Sequence, residues 1–297
     1  FSVGVCYSNG QGVTQDLTKA FEWFLKSANN GNADAMFNVG VCYDKGQGVT
    51  KDLTKAYEWY LKAAEKGDTD AMLYVGLCYD EGEGVTQDFT KAFEWYLKSA
   101  NNGNVVAMFN VGNCYYNGRG VTKDFTKSYE WFLKSANNGN ADAMRSVGVH
   151  YENGQGVTQD LTKAYKWYLK AAEKGNADAM FNVGKCYDKG QGVTKDFTKA
   201  FEWYLKSANN GNGRAMNNVG VRYGKGQGVT QDLTKAYEWW LKSANNGNVV
   251  AMRNVGLCYD KGQGVTQDLT KAFEWYLKSA NNGDRVAMFL VGDYYSE

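Results

Sequence analysis

The six cysteines and the single histidine are the residues best suited to bind a metal or to act as a nucleophile. All seven lie at one position of a 36-residue period: Cys6, Cys42, Cys78, Cys114, His150, Cys186 and Cys258. The chain has no Cys-x-x-Cys pair, and a lone histidine excludes a metal cluster built on histidines. It also leaves no credible nucleophile–base pair. We therefore predict structural packing at this position, with no metal, no cofactor and no enzyme activity.

Two further patterns with chemical potential are also better explained by structure. The eight methionines, from Met36 to Met288, occur once per period, and methionine commonly fills irregular gaps in a core. The segment Gly46-x-Gly48 resembles a phosphate-binding loop. It lacks the preceding strand and the Gly-Lys-Ser/Thr ending that such a loop requires, so a turn is favoured.

Charge and hydropathy limit the classes of partner. The chain has 33 Lys and Arg against 32 Asp and Glu, so nothing draws it to nucleic acid or to an anionic membrane surface. No apolar run approaches the roughly 20 residues of a membrane-spanning helix, and we predict no membrane insertion. Neighbouring copies of the cysteine position should lie about 8–10 Å apart, beyond the reach of a disulfide. Free thiols favour a reducing compartment such as the cytoplasm, although the compartment stays open.

The elements that position these residues follow from the period. Asn32 is suited to cap a first helix, helix A, which should end at Gly46. Asp52 is suited to cap a second helix, helix B, which should end near Gly67. Consecutive helices must be antiparallel neighbours because the links are short. Helix B is apolar over most of its circumference, so we expect its tryptophan, for example Trp131, to be buried between neighbours.

This pattern closely resembles the Sel1-like repeat family, a relative of the tetratricopeptide repeats. The matching residues are Ala35, Gly40, Tyr43, Gly46, Gly48, Val49, Asp52, Lys55, Ala56, Trp59, Tyr60, Lys62, Ala63, Ala64 and Gly67. The resemblance implies an all-α, right-handed α/α superhelical solenoid of helix-turn-helix repeats that acts as a protein-interaction scaffold. One branch of the family is secreted and bridges two cysteines in each repeat. Here each repeat has at most one cysteine, so that framework does not carry over.

The period continues through residues 1–297 without a linker. We predict one continuous array of about eight repeats, with both ends inside a helix A and with further chain outside this window. Helix B varies conservatively from repeat to repeat, whereas one arc of helix A, about 140° wide at 100° per residue, varies freely. Exposed apolar residues on one stripe often mark an interaction site. We predict that a protein or peptide binds this arc, on the concave side. The candidate residues on the arc or its edge are Phe37, Leu73, Tyr74, Leu77, Phe109, Asn113, Arg145, His150, Lys185, Arg214, Asn217, Arg222 and Arg253.

The character of the arc changes along the chain. The earlier repeats place mainly apolar residues on it, and residues 145–254 place arginines and a lysine there. This change predicts a partner that is apolar toward the first repeats and acidic toward the later ones. A structural fibre is the alternative, because near-identical repeats suit a uniform lattice: the segment GQGVTQDLTKA that begins at Gly10 recurs unchanged from Gly154, Gly226 and Gly262.

Overall fold

The computed structural model describes residues 1–294, which form 17 α-helices and, within that range, no strand. Each repeat contributes one helix A and one helix B, so the predicted all-α solenoid repeat is confirmed. The copies of helix A are α1 (Ser2–Asn9), α3 (Ala33–Lys45), α5 (Thr69–Glu81), α7 (Val105–Asn117), α9 (Ala141–Asn153), α11 (Ala177–Lys189), α13 (Gly213–Lys225), α15 (Val249–Lys261) and α17 (Arg285–Tyr294). The copies of helix B are α2 (Leu17–Asn29), α4 (Leu53–Glu65), α6 (Phe89–Asn101), α8 (Phe125–Asn137), α10 (Leu161–Glu173), α12 (Phe197–Asn209), α14 (Leu233–Asn245) and α16 (Leu269–Asn281).

The helix ends are fixed by the residues that the sequence singles out. The Asn32 side chain accepts a hydrogen bond from the Ala35 amide at 2.7 Å, and Asp52 accepts one from the Lys55 amide at 3.0 Å. Such a cap stabilises a helix by about 1 kcal/mol. Helix A ends at Gly46, whose φ of 67° lies in the left-handed region that glycine adopts without strain. The predicted helix boundaries are therefore confirmed within one or two residues.

Two glycine positions set how closely the helices approach. A Cβ placed on Gly40 would lie 2.6 Å from the ring of Tyr60, so helix A packs its backbone directly on an aromatic side chain of helix B. A Cβ placed on Gly48 would lie 2.0 Å from the carbonyl oxygen of Leu17 in the preceding helix B. Neither position has room for a side chain, which explains why both glycines recur.

The expectation that the helix B tryptophans are buried is wrong. Trp131 is half-buried and Trp23 is 38% exposed, whereas the next residue in the chain, Phe132, is 2% exposed. At eight of the nine tryptophans the lysine three residues later lies over the indole ring, as Lys98 does over Trp95 at 4.0 Å. The tryptophan thus lies toward the outer surface of helix B, under a lysine stem. The large residue in the core is its neighbour, at the position of Tyr60.

The chain divides into two compact units. Unit 1 comprises Phe1–Ala143 together with Gln155–Val157, and unit 2 comprises Met144–Gly154 together with the rest of the described chain from Thr158. Each unit contains the same repeat geometry: in unit 1 Ser99 donates a hydrogen bond to the Thr69 carbonyl at 2.7 Å, and in unit 2 the equivalent serine makes the equivalent bond at 2.6 Å. A single continuous array over the whole chain stays a prediction.

Candidate functional site

Three of the predicted partner-binding residues lie inside the packed helices. Leu73 is 7% exposed, His150 is 0% exposed and Arg222 is 6% exposed. His150 and Arg222 occupy the repeat position of Cys42, which is itself 5% exposed. A helical-wheel projection of helix A alone places this position at the edge of the arc. In the structure, neighbouring helices cover the side chains at this position. These three residues therefore do not form part of an exposed binding surface.

The aromatic candidates form a half-buried seam on helix A of unit 1. The Phe37 ring lies 5.5 Å from that of Tyr60 and 5.2 Å from that of Tyr74, which belongs to the next helix A. The Phe109 ring lies 5.5 Å from that of Phe132. Leu77 and Asn113 are also half-buried. This face of unit 1 is therefore apolar and ordered by ring contacts, and part of each side chain remains open.

Four of the five basic candidates of unit 2 are paired with carboxylates of the same unit. The pairs are Lys185 with Glu152 at 2.7 Å, Arg222 with Asp188 at 2.5 Å, Arg214 with Asp178 at 3.1 Å and Arg253 with Asp284 at 3.2 Å. Asn217 accepts a hydrogen bond from Asn254 at 3.1 Å. Arg145 is half-buried, and its Nε is buried without a hydrogen-bond partner. Because four of the five cations are already neutralised, the basis for expecting an acidic segment in the partner is removed.

In unit 2, two acidic residues near the end of helix A are each paired with a cation. Glu152 accepts hydrogen bonds from the Tyr168 hydroxyl at 2.5 Å and from the Lys185 ammonium at 2.7 Å. Burial acts to raise the pKa of the Glu152 carboxyl, but these two hydrogen bonds and the positive charges of Lys185 and Lys189 together outweigh it and hold the pKa below its ordinary value. Asp188, at the same repeat position, is held by Arg222, whose guanidinium lies 5.1 Å from the Phe197 ring. In unit 2 the next repeat supplies a cation to each of these two carboxylates.

Asp44 occupies this position in unit 1 and has a different environment. Among the described residues, no cation lies within ion-pair distance of Asp44, Glu81 or Glu83. These three carboxylates line a cavity of about 120 Å³, which we call the Asp44 pocket. Its other lining residues are Leu53, Ala56, Tyr60, Tyr74, Leu77 and Cys78. The Tyr60 side chain is 2% exposed, and its hydroxyl has no hydrogen-bond partner.

The chemistry of the pocket is reflected in its thiol. Burial, followed by the negative charges of Asp44 and Glu83, raises the pKa of Cys78 to about 12. Burial, with Asp44 as the next contribution, also raises the pKa of the Tyr60 hydroxyl. Both groups stay protonated at neutral pH, so the pocket presents carboxylate charge and neutral donors. It disfavours further negative charge.

A second cleft lies one repeat further along unit 1. It has a volume of about 250 Å³ and is lined by Leu77, Asp80, Tyr96, Asn110, Asn113, Cys114, Asn117 and Arg119. Here Asp80 is paired with Arg119 at 3.1 Å. Leu77 lines both this cleft and the Asp44 pocket. The two concavities are therefore neighbours along helix A of unit 1.

Two classes of site are not found in the part of the chain that the structure describes. No group of three or more His, Cys, Asp or Glu side chains in residues 1–294 is arranged to hold a metal ion. Within the same range, each helix is too short or too polar to cross a lipid bilayer.

Sequence reasoning missed the Asp44 pocket, although a signal for it was present. Asp44 lies on the freely varying arc of helix A, but it is not among the candidate binding residues named from the sequence. Its environment depends on three positions of the next repeat, which are Leu77, Cys78 and Glu83 here. The equivalents of these positions elsewhere are Lys185, Arg222 and Arg119. The pocket could have been identified by comparing each acidic residue with the residues of the following repeat that surround it, rather than with the residues at its own repeat position.

Comparison with known proteins agrees with this architecture. The Sel1 repeat model matches eight consecutive segments: residues 1–32, 33–68, 69–104, 105–140, 141–176, 177–212, 213–248 and 249–284. The chain is 34% identical to c5321, a protective antigen of uropathogenic Escherichia coli strains with an SLR fold. The TM-score is 0.85 over 99% of this chain and 63% of that protein. It is 30% identical to a Sel1 repeat protein from Oxalobacter formigenes, with a TM-score of 0.79 over 99% of this chain and 85% of that one.

More distant similarity extends to yeast Tom70, at 13% identity and a TM-score of 0.53 over 94% of this chain and 57% of that one, and it shows the fold alone. The chain spans less than two thirds of the length of the E. coli antigen. Comparison with curated proteins finds no match.

Proposed function

Because this chain belongs to the Sel1 repeat family, whose members are generally protein-interaction scaffolds, we propose that it binds a peptide segment of a partner protein along helix A of unit 1. The proposal is for a non-enzymatic scaffold. The observation that carries it is the pair of neighbouring concavities that share Leu77. A groove that continues from one repeat to the next suits an extended chain segment better than a small metabolite.

The lining of the groove matches the surface of a peptide. Phe37, Tyr74 and Leu77 offer half-buried apolar surface, and aromatic residues are enriched where proteins bind each other. Asn110 and Asn113 line the second cleft with amide groups that both donate and accept hydrogen bonds, as a peptide backbone requires. Phe109 packs beside them on Phe132. The surface that we propose comprises Phe37, Tyr74, Leu77, Phe109 and Asn113.

Unit 2 provides the contrast that makes the proposal specific. At the corresponding positions the side chains of unit 2 contact each other. Lys185 forms an ion pair with Glu152, and Asn217 accepts a hydrogen bond from Asn254. Breaking such contacts to admit a peptide costs free energy that the apolar surface of unit 1 does not require. We therefore place the binding groove in unit 1.

The test is a selection of displayed random peptides on the whole chain, followed by affinity measurement on matched variants. Leu77 and Leu257 occupy the same repeat position in units 1 and 2. We expect Leu77→Asn to weaken a selected peptide by about tenfold or more. We expect Leu257→Asn to leave its affinity unchanged.

Equal weakening by the two substitutions, or a selection that recovers no peptide dependent on Leu77, would overturn the proposal. Sedimentation velocity over a range of concentrations addresses the alternative of a fibre. Association of the chain with itself that Leu77→Asn abolishes would identify the partner as another copy instead.

A further inference from the structure

The Asp44 pocket is a copy of a cation-binding arrangement from which the cation is missing. Three other carboxylates at its repeat position hold a cation from the next repeat: Asp80 holds Arg119, Glu152 holds Lys185 and Asp188 holds Arg222. The positions that supply these cations correspond to Glu83, Leu77 and Cys78 beside Asp44. None of the three is basic, and one adds a negative charge.

The arginine site in unit 2 shows what such a pocket holds. Arg222 places its guanidinium 2.5 Å from Asp188, 5.1 Å from the Phe197 ring and 5.8 Å from the Tyr204 ring. It also donates a hydrogen bond to Gln227 at 2.8 Å. The equivalent residues around Asp44 are Leu53 for Phe197, Tyr60 for Tyr204 and Glu83 for Gln227. All three line the Asp44 pocket, so the same three repeat positions enclose it. Leu53 replaces an aromatic ring there, and Glu83 adds a negative charge.

The buried hydroxyl of Tyr60 is an independent observation that favours a binding site. In unit 2 the equivalent hydroxyls have carboxylate partners, since Tyr168 donates to Glu152 at 2.5 Å and Tyr204 donates to Asp188 at 3.4 Å. The Tyr60 hydroxyl has none, although the residue is 2% exposed and lines the pocket. A buried polar group without a partner costs free energy. A group that bound Asp44 and reached Tyr60 would remove that cost.

The surrounding field also favours a cation. The pocket lies where α3 and α5 end, at Lys45 and Glu81, and the carboxyl end of a helix attracts positive charge. The residues around it do not form a metal site. A guanidinium presents five N–H donors in one plane. It therefore suits a pocket with three carboxylates and one hydroxyl better than a compact ion does.

We propose that the Asp44 pocket is a binding site for a guanidinium group, which an arginine side chain of the bound peptide supplies. Asp44 pairs with the guanidinium, Tyr60 accepts from one of its N–H groups, and Glu81 and Glu83 provide the remaining negative charge. The identity of the carrier rests on the proposed function, whereas the pocket can be tested without a peptide.

The probe is n-butylguanidinium, and n-butylurea serves as its uncharged analogue of similar shape. We expect the guanidinium to bind one site in the millimolar range. NMR shifts should be centred on Asp44, Tyr60, Cys78 and Glu83, and binding should weaken as salt is added. We expect n-butylurea to give no saturable shifts there.

Two substitutions should remove the site, and a third should leave it intact. Asp44→Asn removes the carboxylate that pairs with the guanidinium. Glu83→Arg places an arginine beside Asp44 at the repeat position from which Arg119 pairs with Asp80. Each should weaken the probe by about tenfold or more. Asp34→Asn makes the same charge change on α3 at an exposed residue outside the pocket and should have no effect.

A gain of binding provides a second check. Lys185→Leu removes the cation from Glu152 and gives this site the leucine that Leu77 provides beside Asp44. We expect n-butylguanidinium to shift Glu152 and Tyr168 in that variant but not in the original chain. Absence of saturable shifts at Asp44 in the original chain, equal binding of n-butylurea, or undiminished binding to Asp44→Asn would overturn the assignment.

The peptide experiment separates this assignment from the proposed function. For a selected peptide, replacing its arginine by glutamine should weaken binding to the original chain but not to Asp44→Asn. A peptide that depends on Leu77 but not on Asp44 would leave the groove in place and overturn the arginine assignment. Probe binding at Asp44 without any Leu77-dependent peptide would overturn the groove, and the pocket would remain as a guanidinium site.

Discussion

Asp44 in unit 1 and Asp188 in unit 2 occupy the same repeat position but have opposite environments. Asp188 lies 2.5 Å from Arg222, while Asp44 shares its pocket with two further carboxylates and no cation. The helices, caps and close glycine contacts around the two residues are the same. The repeat therefore keeps the same backbone geometry whether or not a cation of the chain occupies this pocket. The charge of the pocket can change without a change in fold.

The largest expected effect comes from emptying the filled pocket. Arg222→Met should destabilise unit 2 by about 3 kcal/mol, because it leaves Asp188 without the cation that compensates its desolvation. Urea denaturation measures the loss, and adding Asp188→Asn to this variant should recover part of it. A loss below about 1 kcal/mol would mean that Asp188 tolerates the absence of a cation as Asp44 does, and the contrast between these two residues would not hold.

The two tyrosines opposite the carboxylates offer a matched pair of smaller changes. Tyr168→Phe removes a hydrogen bond to the charged Glu152 and should cost about 2 kcal/mol. Tyr60→Phe removes a hydroxyl without a partner and should cost nothing or stabilise slightly. Phe24 and Phe132 occupy the same repeat position, so the repeat accommodates phenylalanine. Thermal unfolding of the two variants should differ, and equal losses would contradict the assignment of an unpaired hydroxyl.

The pH dependence of stability should distinguish the filled site further. The hydrogen bonds from Lys185 and Tyr168, together with the charges of Lys185 and Lys189, outweigh the effect of burial and hold the folded-state pKa of Glu152 below its ordinary value of 4.5. Ionised Glu152 therefore stabilises the fold above that ordinary value, and this contribution is lost as the pH falls through the lower, folded-state pKa. We expect Glu152→Gln to cost about 1 kcal/mol near neutral pH and progressively less below pH 4.5.

Removal of the partner lysine provides the control for this titration. In Lys185→Leu the folded-state pKa of Glu152 should rise, so stability should begin to fall at a higher pH than in the original chain. Denaturant titrations at several pH values between 3 and 7, about the range over which a carboxyl titrates, measure both effects. An unchanged gap between Glu152→Gln and the original chain across this range would show that Glu152 is not stabilised in its ionised form.

The smallest expected effect is on thiol reactivity. Burial, with the charges of Asp44 and Glu83, raises the pKa of Cys78 to about 12, so its thiolate is scarce and alkylation should be slow. Glu83→Arg replaces a negative charge by a positive one and should speed alkylation a few-fold, as measured by mass spectrometry of labelled peptides. Cys114, next to the Asp80–Arg119 pair, provides an internal reference in the same unit and should not respond.

The fold was predictable because its determinants are local. Asn32, Asp52 and Gly46 act within a few residues of themselves, and their effect on a helix end is the same in any context. The burial of Trp131 was predicted wrongly because helix B is apolar over most of its circumference, so its pattern does not indicate which of two adjacent aromatic residues faces the core. Contact with the helix A glycine selects Phe132 for the interior, and a lysine stem covers the indole from outside.

The candidate site was only partly predictable because it depends on contacts between repeats. Phe37, Tyr74 and Leu77 were identified from the variation of helix A, and the structure leaves them half-buried on one face. The charges of unit 2 were misjudged because the partners of Lys185 and Arg222 lie more than 30 residues earlier in the chain. Whether a charge is free or paired in a repeat array is decided by the register between neighbours, which no single column of the repeat records.

The close contact of Gly48 with the Leu17 carbonyl has a consequence for how repeats can be gained, lost or reordered as such a chain evolves. The contact recurs with the period, so removing or duplicating a whole 36-residue unit preserves this glycine–carbonyl contact between the repeats that become neighbours. The cation that fills or spares a carboxylate, however, comes from the repeat that follows. A change in the order of the repeats therefore changes which carboxylates are paired, without any substitution. If the repeat after Asp44 carried a lysine or arginine at the equivalent position, that cation would occupy the Asp44 pocket. The order of the repeats therefore determines which of these carboxylates are paired with a cation of the same chain.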